Sequence, residues 1–324
     1  MTAPTSRPVC AILDDYQGVA RAMADWSAVE ARADLRVFRE RFADEDALVA
    51  AVADCEIVVA MRERTPFHAG VFPRLPRLRL LVTTGMRNAA IDMAAARAHG
   101  VTVCGTASQI APPAELTWAL LLGLAKRVVP EHAAFRTNGP WQSSVGTDLA
   151  GKQLGLLGLG KIGSRVARVG LAFDMEVAAW SHNLTREQAA GIGVRLAASK
   201  AELLETSDYV SIHLVLSGRT RGLLGGDDLR RMKPTACLVN TSRGPIVDEA
   251  ALIDALTQGW IAGAGLDVFN VEPVPAASPF RSLPNVLATP HLGYVTEANY
   301  RVYYGEAAED VAAFLEGSPI RIVN

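Results

Sequence analysis

The chain has 324 residues, half of them apolar and a fifth charged, which is material for about two ordinary cores. Lys and Arg number 32 against 34 Asp and Glu, so no basic face of the size that holds nucleic acid is expected. The apolar run at 9–13 is too short for a signal-peptide core, and the longest run, at 116–125, falls short of the roughly 20 residues that span a bilayer. A cytoplasmic protein with neither nucleic-acid nor membrane partners is therefore expected.

A strand at 9–13, a helical region at 18–31 with Met23 and Trp26 on its apolar face, a strand at 35–38, a helix at 44–53 and a strand at 56–60 open a β-α alternation. A strand at 78–83 then runs into the loop Thr84-Gly85-Met86-Arg87-Asn88. A helix at 92–99 and a strand at 101–104 complete a block of about five strands, as a parallel sheet with crossover helices requires. Ser108, Pro112 and Pro113 interrupt this pattern at 106–113, where a hinge between domains is expected. A long helix at 114–129 and a polar stretch with Asn138, Gly139 and Pro140 follow. Strands at 154–158, 176–180, 209–213, 236–240, 263–268 and 286–289 make a second alternation, whose six strands fit a doubly wound sheet. The last segment, 297–315, has Ala307, Val311 and Leu315 at helical spacing and is expected to pack back on the first domain.

Chemistry concentrates in the second alternation. The stretch LGLLGLGKIG places Gly158, Gly160 and Gly163 as G-x-G-x-x-G between a short apolar run and an amphipathic segment with Val166, Val169 and Phe173 at helical spacing. Strand, tight turn and helix in this order suit a dinucleotide. The first glycine makes the turn, the second admits the pyrophosphate, the third lets helix and strand pack, and the helix N-terminus supplies free N–H groups. Three later segments begin near expected strand ends, where open α/β sheets place ligands: VNTSRGPIVDE with Arg243, AGAGLDVFNVEP with Asp267 and Glu272, and ATPHLG with His291. Taken singly, each is also compatible with turn residues, caps and solvated charges.

In this order, behind this glycine turn, these segments resemble the D-isomer-specific 2-hydroxyacid dehydrogenase family, motif by motif over 154–293 and more loosely before it. The resemblance implies an α/β chain in which a doubly wound Rossmann domain at 108–294, binding NAD(P), is inserted into a smaller, flavodoxin-like parallel-sheet substrate domain made of 1–107 and 295–324, with the active site in the cleft. It implies hydride transfer between NAD(P)H and a 2-oxo acid to give a D-2-hydroxy acid. His291 would be the general acid and base, Glu272 would fix its tautomer and stabilise the imidazolium, and Arg243 would bind the substrate carboxylate and polarise the oxo group. Cofactor contacts carried over are Lys161 and Ile162 after the glycines, His213, Leu214 and Val215, Thr241 and Ser242, Asp267 at the nicotinamide amide, and Gly293. The loop with Gly85, Met86 and Arg87 stands where relatives bind the substrate carboxylate by backbone amides, although Met86 and Arg87 replace the smaller or apolar residues frequent there. Arg62 and Arg64, in MRERT, either face the substrate and favour an anion or stand in solvent.

Where NAD-specific relatives end the second cofactor strand on a carboxylate, this chain reads Trp180-Ser181-His182-Asn183, then Arg186. A carboxylate would repel a 2′-phosphate, whereas Ser181, Asn183 and Arg186 would accept one, so the cofactor leans to NADP(H). Within the family, glyoxylate/hydroxypyruvate reductase and phosphoglycerate dehydrogenase-like specificities both remain. The end at Asn324 is expected to exclude the long, serine-regulated phosphoglycerate dehydrogenases, and Glu272 stands where formate dehydrogenases carry an amide. The alternative of another class is an NAD(H)-sensing, corepressor-like interaction protein. A homodimer is expected, through the segment around Trp118 to Trp141. His68, His99 and His132 have no metal-ligand spacing and no metal is expected, while Cys10, Cys55, Cys104 and Cys237 form no C-x-x-C and read as free thiols.

Overall fold

The computed structural model describes residues 7–324; the first six, which begin both the stretch read for an export signal and the first expected domain, lie outside them. The chain forms two compact units, Met1–Gln109 with Thr296–Asn324, and Ile110–Val295.

In the first unit, β1 (Val9–Ile12), β2 (Asp34–Val37), β3 (Ile57–Ala60), β4 (Leu80–Thr83) and β5 (Thr102–Gly105) form one parallel sheet in the order β2-β1-β3-β4-β5. The unbroken apolar runs of β3 and β4 are buried along their whole length, as strands covered on both faces must be. The region expected to be one helix at 18–31 is two single turns, Ala20–Met23 and Ser27–Glu30. Side-chain carboxylates explain the break. Asp15 accepts the amides of Val19 and Ala20 at 2.9 and 3.0 Å and starts the first turn, and Asp25 accepts the amide of Ser27 at 2.9 Å and starts the second. The helix Glu297–Leu315 has the expected limits and packs on β4 and on both short turns. Beyond it the chain end lies along β5, where the Asn324 side chain donates to Val101 O at 2.8 Å and accepts from Val103 N at 2.9 Å.

In the second unit, β6 (Gln153–Leu157), β7 (Glu176–Trp180), β8 (Arg195–Leu196), β9 (Tyr209–Ile212), β10 (Cys237–Asn240), β11 (Gly263–Leu266) and β12 (Val286–Ala288) form a parallel sheet in the order β12-β11-β10-β9-β6-β7-β8. The seventh strand, missing from the sequence expectation, is the edge strand β8; two residues are too few to show a period. Side chains alternate between two cores. Leu154 and Leu156 join Trp118, Leu121 and Val166 on one face, while Leu157, Val210 and Ile212 join Leu229, Leu252 and Leu256 on the other. The chain lays down β6, β7 and β8 to one side and returns to place β9 on the other side of β6. The topological switch point, where such sheets bind ligands, therefore lies between β6 and β9.

Two expectations about the first helix of this unit are corrected. It spans Ala111–Ala125 and takes Pro112 and Pro113 into its first turn, where a missing N–H leaves nothing unpaired, so the interruption at 106–113 ends earlier than its prolines suggest. It also stops before 129. Arg127 turns left-handed at φ 55°, and a separate helix, Val128–Arg136, follows. Among the described residues no helix is long and apolar enough to cross a membrane, no group of His, Cys, Asp or Glu side chains is arranged to hold a metal, and the four cysteines are unpaired.

Candidate active site

The glycine turn follows β6 at the switch point. Gly158 has φ +100°, and a Cβ on it would lie 2.5 Å from His213 O; a Cβ on Gly163 would lie 2.2 Å from Gly158 O. Both glycines are demanded by contacts within the chain. Gly160 is not: it has an ordinary φ of −76°, and nothing lies within 4 Å of where its Cβ would be. It is the N-cap of the helix Lys161–Ala172 and offers no side-chain cap to the amides of the first turn, including those of Lys161 and Ile162. An uncapped helix start behind a glycine turn fits the pyrophosphate of a dinucleotide.

The other expected cofactor residues stand at the ends of successive strands. After β7, Ser181 accepts the Leu184 amide through its carbonyl, His182 packs edge-on against Trp180 at 4.9 Å, Asn183 is exposed, and Arg186 is exposed in the first turn of the short helix Arg186–Ala190. No carboxylate ends this strand. After β9, His213 Nε2 lies 2.9 Å from Ser211 Oγ, and burial pushes the imidazole down to about 4, so it is neutral near pH 7. Leu214 O accepts the Ser242 hydroxyl, and Val215 is largely exposed. After β10, Thr241 shares a 2.7 Å hydrogen bond with Thr117 of the helix Ala111–Ala125. Asn240 was not singled out in the sequence, yet it staples this turn, accepting Ser242 N and donating to Arg243 O, both at 3.0 Å.

The three expected catalytic residues lie on the loops that follow β10, β11 and β12. His291 and Glu272 meet directly, with Nδ1 2.6 Å from Oε2, while Glu272 Oε1 accepts the Phe269 amide at 2.8 Å. A carboxylate oxygen can only accept here, so Nδ1 carries the hydrogen and Nε2 is the nitrogen left to exchange a proton. Arg243 is held on the neighbouring loop, its Nη1 donating to Ser242 O at 2.8 Å. That loop approaches the Glu272 loop as closely as backbone permits, because a Cβ on Gly244 would sit 2.2 Å from Phe269 C. A glycine directly after the arginine was the available signal for this contact.

Asp267, expected at the nicotinamide amide, is tied into the His291 turn. It is completely buried, and its oxygens accept Thr289 Oγ1 at 2.6 Å, Leu292 N at 2.6 Å and Gly293 N at 2.9 Å. Burial raises its pKa against the pull of those donors and of His291. These bonds make it a clamp on the His291 turn. Gly293 belongs to the same clamp, since a Cβ there would come 3.1 Å from Asp267 Oδ2.

In the first unit, Gly85 has φ +96° and gives its amide to Thr106 Oγ1 at 2.8 Å. The amides of Met86 and Arg87, which follow on the exposed face, have no partner among the described residues, the arrangement that suits a carboxylate. The two arginines have different surroundings. Arg64 is tied inside the unit, with Nη1 2.6 Å from Asp14 O and its guanidinium 4.3 Å over the Tyr16 ring. Arg62 lies on the loop instead: Nη1 donates to Thr84 O at 3.1 Å and would stand 1.8 Å from a Cβ on Gly85. Spacing could not separate two arginines two positions apart at a strand end.

Residues 118–293 match the family described as D-isomer specific 2-hydroxyacid dehydrogenase, NAD binding domain. The glyoxylate reductase of Aeropyrum pernix is 40% identical over 259 residues, covering 77% of both chains, and that of Korarchaeum cryptofilum is 36% identical over 303 residues, covering 91% of this chain and 87% of its own. The D-3-phosphoglycerate dehydrogenase of Mycobacterium tuberculosis is 37% identical over 276 residues, which are 85% of this chain but 52% of that one. Among solved structures, a phosphoglycerate oxidoreductase from Vibrio cholerae o395 superimposes with a TM-score of 0.90 at 36% identity, covering 96% of this chain and 100% of its own.

The glycines give a test that separates folding from cofactor binding. Gly160→Ala should leave the melting temperature unchanged and weaken NADH or NADPH binding by at least about tenfold, whereas Gly163→Ala should cost about 1–3 kcal/mol of stability through overpacking. Thermal melts and cofactor fluorescence titration read both, and a Gly160→Ala protein that binds normally would remove the dinucleotide from this turn. With the sequence similarity running through the glycine turn and the strand-end loops alike, the chain belongs to the D-isomer-specific 2-hydroxyacid dehydrogenase family.

Proposed function

We propose that the protein reduces a small 2-oxo acid to the D-2-hydroxy acid, reversibly, with His291 as the group that exchanges the proton. The observation that carries this reading is the 2.6 Å contact of His291 Nδ1 with Glu272, which leaves Nε2 as the exchanging nitrogen. The nicotinamide supplies the hydride. His291 Nε2 gives its proton to the oxo oxygen, and the imidazolium's other N–H stays on Glu272, which keeps the ring in one tautomer for the reverse step. Arg243 binds the carboxylate and polarises the oxo group through its planar fork; within the first unit, the amides of Met86 and Arg87 are the donors available to an anion. Lys161, Ile162, Gly160, His213 to Val215, Thr241 and Ser242 line the cofactor's course along the strand ends.

The glyoxylate reductases of Aeropyrum pernix and Korarchaeum cryptofilum match over most of their own length, which supports a small substrate of the glyoxylate or hydroxypyruvate kind; a phosphoglycerate-like acid is the second reading, favoured by Arg62 on the Gly85 loop and by the Vibrio cholerae phosphoglycerate oxidoreductase, which is covered over its whole length. Unpaired cysteines fit a reducing cytoplasm. The missing carboxylate after β7 and the exposed Arg186 support NADPH as the preferred reductant. The partner we assign is a second copy of the chain. Trp118 is buried and takes no part, but the helix Val128–Arg136 buries none of its residues, and Val128, Val129, Phe135, Trp141 and Val145 are all more than half exposed.

Three measurements follow. A panel of glyoxylate, hydroxypyruvate, phenylpyruvate and 3-phosphohydroxypyruvate should oxidise the reduced cofactor, and His291→Ala should lower kcat by about 10²–10⁴ while cofactor binding persists; no turnover of any panel member would favour a cofactor-sensing interaction protein. NADPH should exceed NADH in kcat/KM, and Arg186→Ala should erase about tenfold of that preference; an NADH preference in the unaltered chain contradicts it. Light scattering should give a dimer mass that Phe135→Asp with Trp141→Asp converts to a monomer, and a monomeric unaltered chain would refute the assembly.

A further inference from the structure

We propose that Tyr294 is a positioning residue for His291, an inference that rests on the reading of His291 as the proton-exchanging group. The Tyr294 and His291 rings pack with centroids 5.1 Å apart and planes at 75°. The turn that carries them enforces this. Asp267 holds the amides of Leu292 and Gly293, and Val295 N closes back on Leu292 O at 2.8 Å, which folds the residue between them towards the histidine. His291 itself sits in the left-handed region at φ 53°, a conformation that histidine tolerates better than most residues but that surrounding contacts must maintain.

The hydrogen bond from Nδ1 to Glu272 fixes one point of the imidazole. It does not fix the ring's tilt about the line through that bond, and the tilt decides where Nε2 aims. A second aromatic ring set nearly at right angles closes off the tilt by contact, at the distance and angle where such pairs attract. Glu272 thus sets the tautomer and Tyr294 sets the direction. Tyr294 is half-buried and reaches the reaction through the ring of His291. Its contact with His291 is aromatic, so phenylalanine should serve in its place at that contact.

The test compares Tyr294→Leu and Tyr294→Phe with the unaltered enzyme, using whichever 2-oxo acid of the panel turns over fastest. Tyr294→Leu should lower kcat about tenfold with KM and cofactor affinity within about twofold, and Tyr294→Phe should restore kcat. A Leu variant with unchanged kcat, or with a raised KM and full kcat, overturns the proposal, as does a Phe variant no better than Leu. His291→Ala in the same assay keeps two failures apart: if it turns over normally, the acid-base reading falls; if it is inactive while Tyr294→Leu is not, only the positioning role falls. A readout without turnover is the His291 ring resonance in labelled protein, one of six histidines and assigned by its loss in His291→Asn. Its relaxation should report a mobile ring in Tyr294→Leu and a fixed one in Tyr294→Phe, and a ring equally fixed in both would also overturn the proposal.

Discussion

A buried carboxylate holds the reactive end of the second unit together. The parallel register of β11 and β12 pairs Leu266 with Ala288 and sets Asp267 beside Thr289, and from there Asp267 reaches the hydroxyl of Thr289 and the amides of Leu292 and Gly293. Burying an ionised carboxylate costs several kcal/mol unless donors surround it. Three donors from one five-residue turn offset that cost and in doing so give the turn a single shape. His291 and Tyr294 ride on that turn, and Glu272 meets them from the loop after β11. The sheet supplies the coarse placement, and the buried acid supplies the fine one.

The same logic places everything else on one edge of the sheet. Parallel strands all end on the same side, so Gly158, Ser181, His213, Thr241, Asp267 and Thr289 each follow a strand and share that edge. The glycines differ in what they do: Gly158, Gly163, Gly244 and Gly293 let chain approach chain, while no chain atom lies within 4 Å of where a Cβ on Gly160 would be.

Much of this could be read from residues alone, because the strands are strongly apolar and the motif residues sit at their ends. Eleven of the twelve strands and the helix Glu297–Leu315 follow from period and composition. What could not be read depended on single side chains or on distant contacts. Arg127 breaks a helix by adopting a left-handed φ that no pattern announces, and Asp15 and Asp25 restart short turns by capping. At the site, His291, Glu272 and Arg243 are singled out by the family resemblance of their segments, but the clamp made by Asp267 and the different surroundings of Arg62 and Arg64 are matters of direction in space. Tyr294 carries no motif signal; only its neighbour in the fold gives it a role.

The central claim is hydride transfer to the face of a 2-oxo acid that yields the D-isomer. It is tested most directly by supplying hydroxypyruvate with nicotinamide cofactor deuterated at its transferable position and determining both the configuration and the isotope content of the product. The account predicts D-glycerate carrying one deuterium at C2. L-glycerate, or glycerate without deuterium at C2, would contradict it.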